Sequence, residues 1–298
     1  MSEHFFKALK HYNEHETKVY VTNALNAADA DPISLIRFFN KYISWNARFA
    51  GNMANLTGNI SNARDLFIDA DKKITVLNDR SNFVASYIFD AVSDEYGGRS
   101  PSHRSTHRRL AQAFIFGMLS YFQISNEHVI NEALELDYLD LHFANALADG
   151  FGVGQTSDEA IFKGIGFHLA SESFGDSEYG VINSWLNRKH PDLVDFLKQQ
   201  TVEINGQFHN CYTWISIHSS DGDGVEDVHF QTVLDGMRVA LQFCTIPKDY
   251  AHNLISSGYH NFLSHHKSFF TKRPKKCITI LSNMLKAIEF RFNNRVVK

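Results

Sequence analysis

Residues Ile215 to Phe230 read I-S-I-H-S-S-D-G-D-G-V-E-D-V-H-F, and the joining of the two halves of this stretch decides how the chain is read. An apolar helical segment ends in His218, a short polar break follows, and a second helix opens with Glu226 and His229. Three residues advance a helix by about 300°, so Glu226 and His229 lie about 60° apart on one face. Helix bundles use this Glu-x-x-His spacing to hold pairs of metal ions. His218 rejoins the same face if Ser219 to Gly224 are absorbed as a loop or an irregular turn. The same tetrad also occurs on solvated helix surfaces, so the remaining ligands must come from elsewhere in the chain.

Outward from this stretch the pattern is helical. Phe5 to Asn26 carries apolar residues at steps of three and four. Asp31-Pro32 starts a second helix, with Asp as cap and Pro at the first helical position, running through Trp45 and Phe49 towards Leu56. Ser81 to Glu95 is closed by Gly97-Gly98, and Leu110 to Phe122 and Glu127 to Leu147 follow. Thr156-Ser-Asp-Glu159 has the capping-box pattern and opens a helix expected to end near Phe174-Gly175. Further helices are expected over Tyr179–Leu186, Leu193–Val202, Phe208–His218, Glu226–Phe243, Tyr250–Phe270 and Cys277–Phe290. No strand alternation is sustained. The expectation is an all-α chain, 1–298 as a single domain, with about ten helices in one orthogonal bundle.

Composition narrows the function classes. At 44% apolar residues the chain can bury a large core, and its 25 phenylalanines suggest an aromatic interior with room for an apolar pocket. A net charge of −4 argues against nucleic acid as the default partner. Cys211, Cys244 and Cys277 are widely spaced and form no C-x-x-C, which argues against a disulfide framework or a thiolate zinc site. No run approaches the ~20 apolar residues of a membrane span, and no cleavable leader is evident. A cytoplasmic location and no membrane partner are the expectation.

Several polar residues sit where polar residues are costly. Glu95 ends its helix and His107 begins the next. Glu172 lies in the largely apolar segment G-I-G-F-H-L-A-S-E, where a carboxylate is penalised unless paired, protonated or metal-bound. A structural ion pair with an arginine, or simple exposure, would also account for it. His168 precedes Glu172 by four residues, and His103 precedes His107 by four, so each shares a helical face with a candidate ligand.

Taken in order, these segments resemble the heme-oxygenase-like dimetal oxidases, the family of CADD-like and UndA-like proteins within the TenA/PqqC/heme oxygenase superfamily. Its members show D-E-x-x-G, then H-x-x-L-x-x-x-F, then a lone Glu in a small-residue helix, then H-x-x-x-D-x-x-H. This chain has D-E-Y-G-G at 94–98, H-R-R-L-A-Q-A-F from His107, A-S-E-S-F-G at 170–175, and His218 followed by Glu226-x-x-His229. The phase of Leu110 and Phe114 favours His107 over His103. Two departures stand out. Four extra residues separate the two histidines of the last motif, and Glu replaces Asp. The likeness covers roughly residues 35 to 270.

The resemblance implies a heme-oxygenase-like bundle in which Glu95, His107, Glu172, His218, Glu226 and His229 are both the metal ligands and the catalytic set. It implies two iron ions per chain, or iron with manganese, O2 as co-substrate, a small-molecule substrate, and an oxidase or oxygenase activity; a homodimer is compatible with it. Three carboxylates and three imidazoles without a thiolate suit iron or manganese on chemical grounds alone. Trp45, Phe49, Phe114 and Phe116 are candidate walls for an apolar pocket, though each could equally be plain core. Two other readings stay open: a metal-free TenA- or PqqC-like enzyme on the same scaffold, and a binding or host-interaction module whose site is vestigial. Heme oxygenase itself fits less well, because His11 and His15 sit among polar residues.

Overall fold

Apolar side chains that recur every three or four residues form a stable stripe only when a helix carries them against another stripe, and the computed structural model is built almost wholly this way. It describes residues 3–72, 76, 78–97, 106–125, 138–219 and 225–293. The helices are α1 (Glu3–Ala28), α2 (Pro32–Asn46), α3 (Phe49–Asn62), α4 (Asp79–Glu95), α5 (His107–Tyr121), α6 (Tyr138–Gly150), α7 (Asp158–Lys189), α8 (Pro191–Gln199), α9 (Thr213–His218), α10 (Val225–Phe243) and α11 (Lys248–Asn293). The chain is therefore mostly helical, as its periodicity requires.

Local chemistry sets several boundaries. Asp31 caps α2 by accepting hydrogen bonds from the backbone N–H groups of Ile33 and Ser34, with Pro32 in the first turn. Ser157 caps α7 by accepting from the Ala160 N–H. Gly97 leaves α4 at a φ of 74°, a left-handed conformation that suits glycine.

Four expectations are corrected. The expected long helix through Trp45 to Leu56 is two, because the chain turns at Ala47–Arg48, whose N–H groups bond back to the Ile43 and Trp45 carbonyls. Where two helices were expected on either side of Gly175, one 32-residue helix, α7, runs through. No proline interrupts it, and Phe174, Tyr179, Ile182 and Trp185 keep a buried face beyond the glycine. Tyr250–Phe270 and Cys277–Phe290 are likewise parts of one helix, α11. Finally, a small sheet is present. Strands β1 (Thr201–Ile204) and β2 (Gln207–Asn210) form an antiparallel hairpin that pairs Thr201 with Asn210 and Ile204 with Gln207. Asn205 and Gly206 turn it with φ of 52° and 77°, the left-handed pair that two-residue hairpins demand. The hairpin takes the end of the helix expected over Leu193–Val202 and the start of the one expected over Phe208–His218, because four-residue strands are too short to register as alternation. The expected helix over Glu127–Leu147 lies in part outside the described residues, which show α6 from Tyr138.

Helix α7 is the axis of the molecule, packing against α11, α1, α10 and α9. Its approach to α11 is backbone on backbone. A Cβ on Gly166 would lie 1.9 Å from the Ile255 carbonyl oxygen, and one on Gly258 would lie 1.9 Å from that of Lys163. Trp185 on α7 donates to Asn26 on α1 at 2.9 Å. Phe38, Phe39, Tyr42, Phe114, Phe269 and Phe270 sit in one aromatic core, each fully buried ring contributing about 1.5–3 kcal/mol. Among the described residues no helix is long and apolar enough to cross a membrane.

Candidate functional site

Five helices bring polar side chains to one place. The last turn of α4 carries Asp94 and Glu95, the first residue of α5 is His107, α7 contributes His168 and Glu172, α9 ends in His218, and α10 carries His229. Three of these positions are helix termini. A residue there can point into a gap between helices that mid-helix positions fill with core.

Glu95, His107 and His218 each offer one ligand atom, all within 4.8 Å of one another. Glu95 Oε1 lies 3.3 Å from His107 Nδ1, and His218 Nε2 lies 3.1 Å from that same nitrogen. His218 Nδ1 is 2.7 Å from the Trp214 carbonyl oxygen, to which it donates. That bond commits the ring proton to Nδ1 and leaves the Nε2 lone pair facing His107. Tyr179 stacks on the same ring, with centroids 4.4 Å apart. Beside this trio, Glu172 Oε2 is 3.4 Å from His229 Nδ1 and Glu172 Oε1 is 3.3 Å from His168 Nδ1. Asp94 faces the outer nitrogens of two imidazoles, at 3.7 Å from His107 Nε2 and 3.6 Å from His229 Nε2.

Charge is shared unevenly across the cluster. Burial would raise the Glu95 carboxyl, but the adjacent His107 outweighs it and holds the carboxyl below its usual range. Burial would likewise depress His107, but Glu95 and Asp94 together raise it. His218 is pushed down to about 3 by burial and by its neighbour His107, and burial also lowers His168. His218 and His168 are thus held neutral, the form in which an imidazole is a ligand.

The cluster opens on a cavity of about 200 Å³. Trp45, Phe49, Met53 and Phe262 supply apolar wall, and Glu178 and His266 also line it. For scale, an apolar cavity of about 150 Å³ holds a benzene molecule. Trp45 and Phe49 therefore stand in the wall. Phe114 instead packs in the core against Phe39 and Trp214, and Phe116 packs against that core without lining the cavity.

Of the six residues singled out in the sequence, Glu95, His107, Glu172, His218 and His229 come together. Glu226 sits on α10 three residues before His229, but its side chain lies outside the described residues, as do His103 and residues 220–224. His168, set aside in the sequence as an alternative, is within the cluster through Glu172. Glu172 is buried at 7% exposure beside two histidines, in place of the arginine pair considered above. Asp94 was missed, although it immediately precedes Glu95. The signal was a second carboxylate in the same helical turn. Glu178 was missed because the helix before it was expected to end near Gly175, and His266 because nothing local sets it apart within the helix expected over Tyr250–Phe270.

Among the described residues, Glu95, His107 and His218 form a group that could hold a metal ion, and Glu172 and His229 lie beside it. Bonds of about 2.0–2.2 Å meeting at about 90–110° place neighbouring ligand atoms about 2.8–3.6 Å apart. The Glu95–His107, His107–His218 and Glu172–His229 separations of 3.3, 3.1 and 3.4 Å all lie in that range. Asp94, at 3.6–3.7 Å from the outer nitrogens of His107 and His229, is an electrostatic neighbour of both rings and not a hydrogen-bond partner. Compared with protein-family models, curated proteins and solved structures, the chain matches none.

Proposed function

We propose that this protein is an O2-dependent non-heme dimetal oxidase or oxygenase acting on a small molecule, built on a heme-oxygenase-like bundle. The observation that carries the reading is the convergence of Glu95, His107 and His218 from three helices, with Glu172 and His229 adjoining, on the wall of an aromatic-lined cavity. Buried clusters of mixed carboxylate and imidazole without thiolate are the chemistry of iron and manganese sites. Glu95, His107 and His218 would hold one ion. Glu172 and His229 would hold the second with Glu226, whose place on α10 gives the Glu-x-x-His spacing of dimetal bundles. Bound there, two iron ions, or one iron and one manganese, supply electrons for the reduction of dioxygen.

The chain's own residues do the positioning. His168 faces the second oxygen of Glu172 and restrains the carboxylate from rotating. Asp94 places negative charge behind the rings of His107 and His229. The Trp214 carbonyl fixes the tautomer of His218, and Tyr179 fixes its plane. Trp45, Phe49, Met53 and Phe262 keep the cavity apolar, which limits water and strengthens every electrostatic contact inside it.

Anaerobic titration of the metal-free protein with ferrous ion tests this. Saturation is expected at about two equivalents per chain, as six nitrogen and oxygen ligands allow. Saturation near zero would overturn the proposal in favour of a metal-free enzyme using the Glu95–His107 pair for proton transfer.

A further inference from the structure

Helix α7 presents a second polar group to the same cavity, away from the cluster. Glu178 follows Glu172 by six residues, which at 1.5 Å per residue sets the two backbones about 9 Å apart along the helix. Glu178 is 5% exposed and pairs through Oε2 with His266 Nε2 on α11. His266 Nδ1 meets the Tyr20 hydroxyl at 2.5 Å, and that hydroxyl meets Thr17 Oγ1 at 3.1 Å. Thr17, Tyr20 and His266 are all buried, at 1%, 8% and 1% exposure. Neither the metal ligands nor their supporting residues use this array.

We propose that Glu178, held by His266 and Tyr20, is the binding site for an O–H or N–H donor at the far end of the substrate, and that the substrate is a small aromatic molecule carrying a hydroxyl or amino group. The argument starts from the carboxylate. Both ring nitrogens of His266 are engaged, so the imidazole is fixed and holds one Glu178 oxygen. That contact runs through Oε2, and Glu178 itself lines the cavity, where its second oxygen is available to a ligand. A ligand seated in the cavity can donate to that oxygen in place of water. Because an imidazole already holds one oxygen of the carboxylate, a single O–H or N–H donor completes the pair.

The walls define the rest of the ligand. Trp45 lies 5.8 Å from the His266 ring and 5.4 Å from Phe49, and Phe262 lies 5.5 Å from His266 and 6.2 Å from Phe49. Flat faces around the polar group suit a ring in offset or edge contact. A cavity of about 200 Å³ takes one ring with short substituents. That the opposite end of such a ligand is the reacting end rests on the dimetal reading; the donor site itself does not.

Three probes of nearly equal size separate the terms: p-cresol, p-toluidine and p-xylene, titrated calorimetrically into the full-length, metal-free protein. A hydrogen bond to a carboxylate is expected to favour p-cresol, p-toluidine or both over p-xylene by at least about tenfold in Kd. Whichever donor shows the gain identifies the hydroxyl or the amine as the natural group. In Glu178→Met the preference is expected to fall below about threefold, with helicity and ferrous uptake unchanged. Should Glu178→Met fail to fold, Glu178→Gln decides, since an amide oxygen is the weaker acceptor and the preference must drop at least about threefold. Equal binding of all three probes to the wild type overturns the proposal, as does an unchanged preference in the variants. Normal ferrous saturation without donor preference removes this site and leaves the dimetal reading standing; donor preference in a protein that takes up no iron does the reverse.

Discussion

Replacing Gly166 by alanine tests the crossing of α7 and α11, on which the placing of Glu172, Glu178 and His266 depends. The added Cβ would sit 1.9 Å from the Ile255 carbonyl oxygen and 2.6 Å from its carbon. Carbon and oxygen in favourable contact are about 3.3–3.6 Å apart, so the helices must part by about 1.4 Å or more. The obstacle is backbone, which cannot swing aside as a side chain does. Overpacking of this kind costs about 1–3 kcal/mol, and the upper end applies here. Alanine returns about 1 kcal/mol through its helix propensity, leaving a net loss of about 2 kcal/mol. Gly258→Ala meets the Lys163 carbonyl oxygen at the same 1.9 Å and is expected to cost as much. The double variant is expected to cost less than the sum, because one separation of the helices serves both. Gly180 provides the control within α7. Nothing lies within 4 Å of a Cβ there, so Gly180→Ala is expected to stabilise by up to about 1 kcal/mol. Urea denaturation followed by circular dichroism reads all four variants. Wild-type stability in Gly166→Ala, or an equal loss in Gly180→Ala, would refute the close crossing.

The ligand set has its own variants. His107→Ala and His229→Ala are each expected to abolish tight binding of at least one ferrous ion, whereas His103→Ala and His168→Ala are expected to keep both with a loss of at most about 10- to 100-fold in affinity; loss of metal from the second pair alone would reverse the assignment. Asp94→Asn is expected to weaken ferrous binding by about 10- to 100-fold without removing a site, since it removes the negative charge behind two imidazoles; complete loss of one equivalent would make Asp94 a ligand. Burial pushes the Cys211 thiol up to about 11 from an ordinary value of 9.0. At pH 8 its thiolate fraction is then about 100-fold lower than that of an unperturbed thiol. Peptide mapping after iodoacetamide treatment should find Cys211 unmodified while a free peptide thiol reacts fully. Its raised pKa also means that the folded state holds the proton longer, so this group's contribution to stability is complete below pH 9 and is lost as pH rises from about 9 to 11.

Helical class and most helix starts were legible in the sequence because each rests on local chemistry, as does the shared face of Glu226 and His229. Asp31-Pro32 and Ser157 cap helices by bonding to their own neighbours, and the three-residue step between Glu226 and His229 fixes their relative angle wherever α10 lies. Helix continuity was less legible. Gly175 resembles a stop signal, yet α7 passes through it because Tyr179, Ile182 and Trp185 are buried beyond it, and burial outweighs propensity. The hairpin at 201–210 escaped notice because four residues are too few to show a period. What only the tertiary structure decided is which polar residues meet. His107 and His218 are 111 residues apart in the chain and 3.1 Å apart in space. Glu178 and His266, 88 residues apart, pair across two helices whose glycines let the backbones touch. Sequence determines what each side chain can do along its own helix; how closely two helices approach depends on packing between distant segments, and no local pattern encodes it.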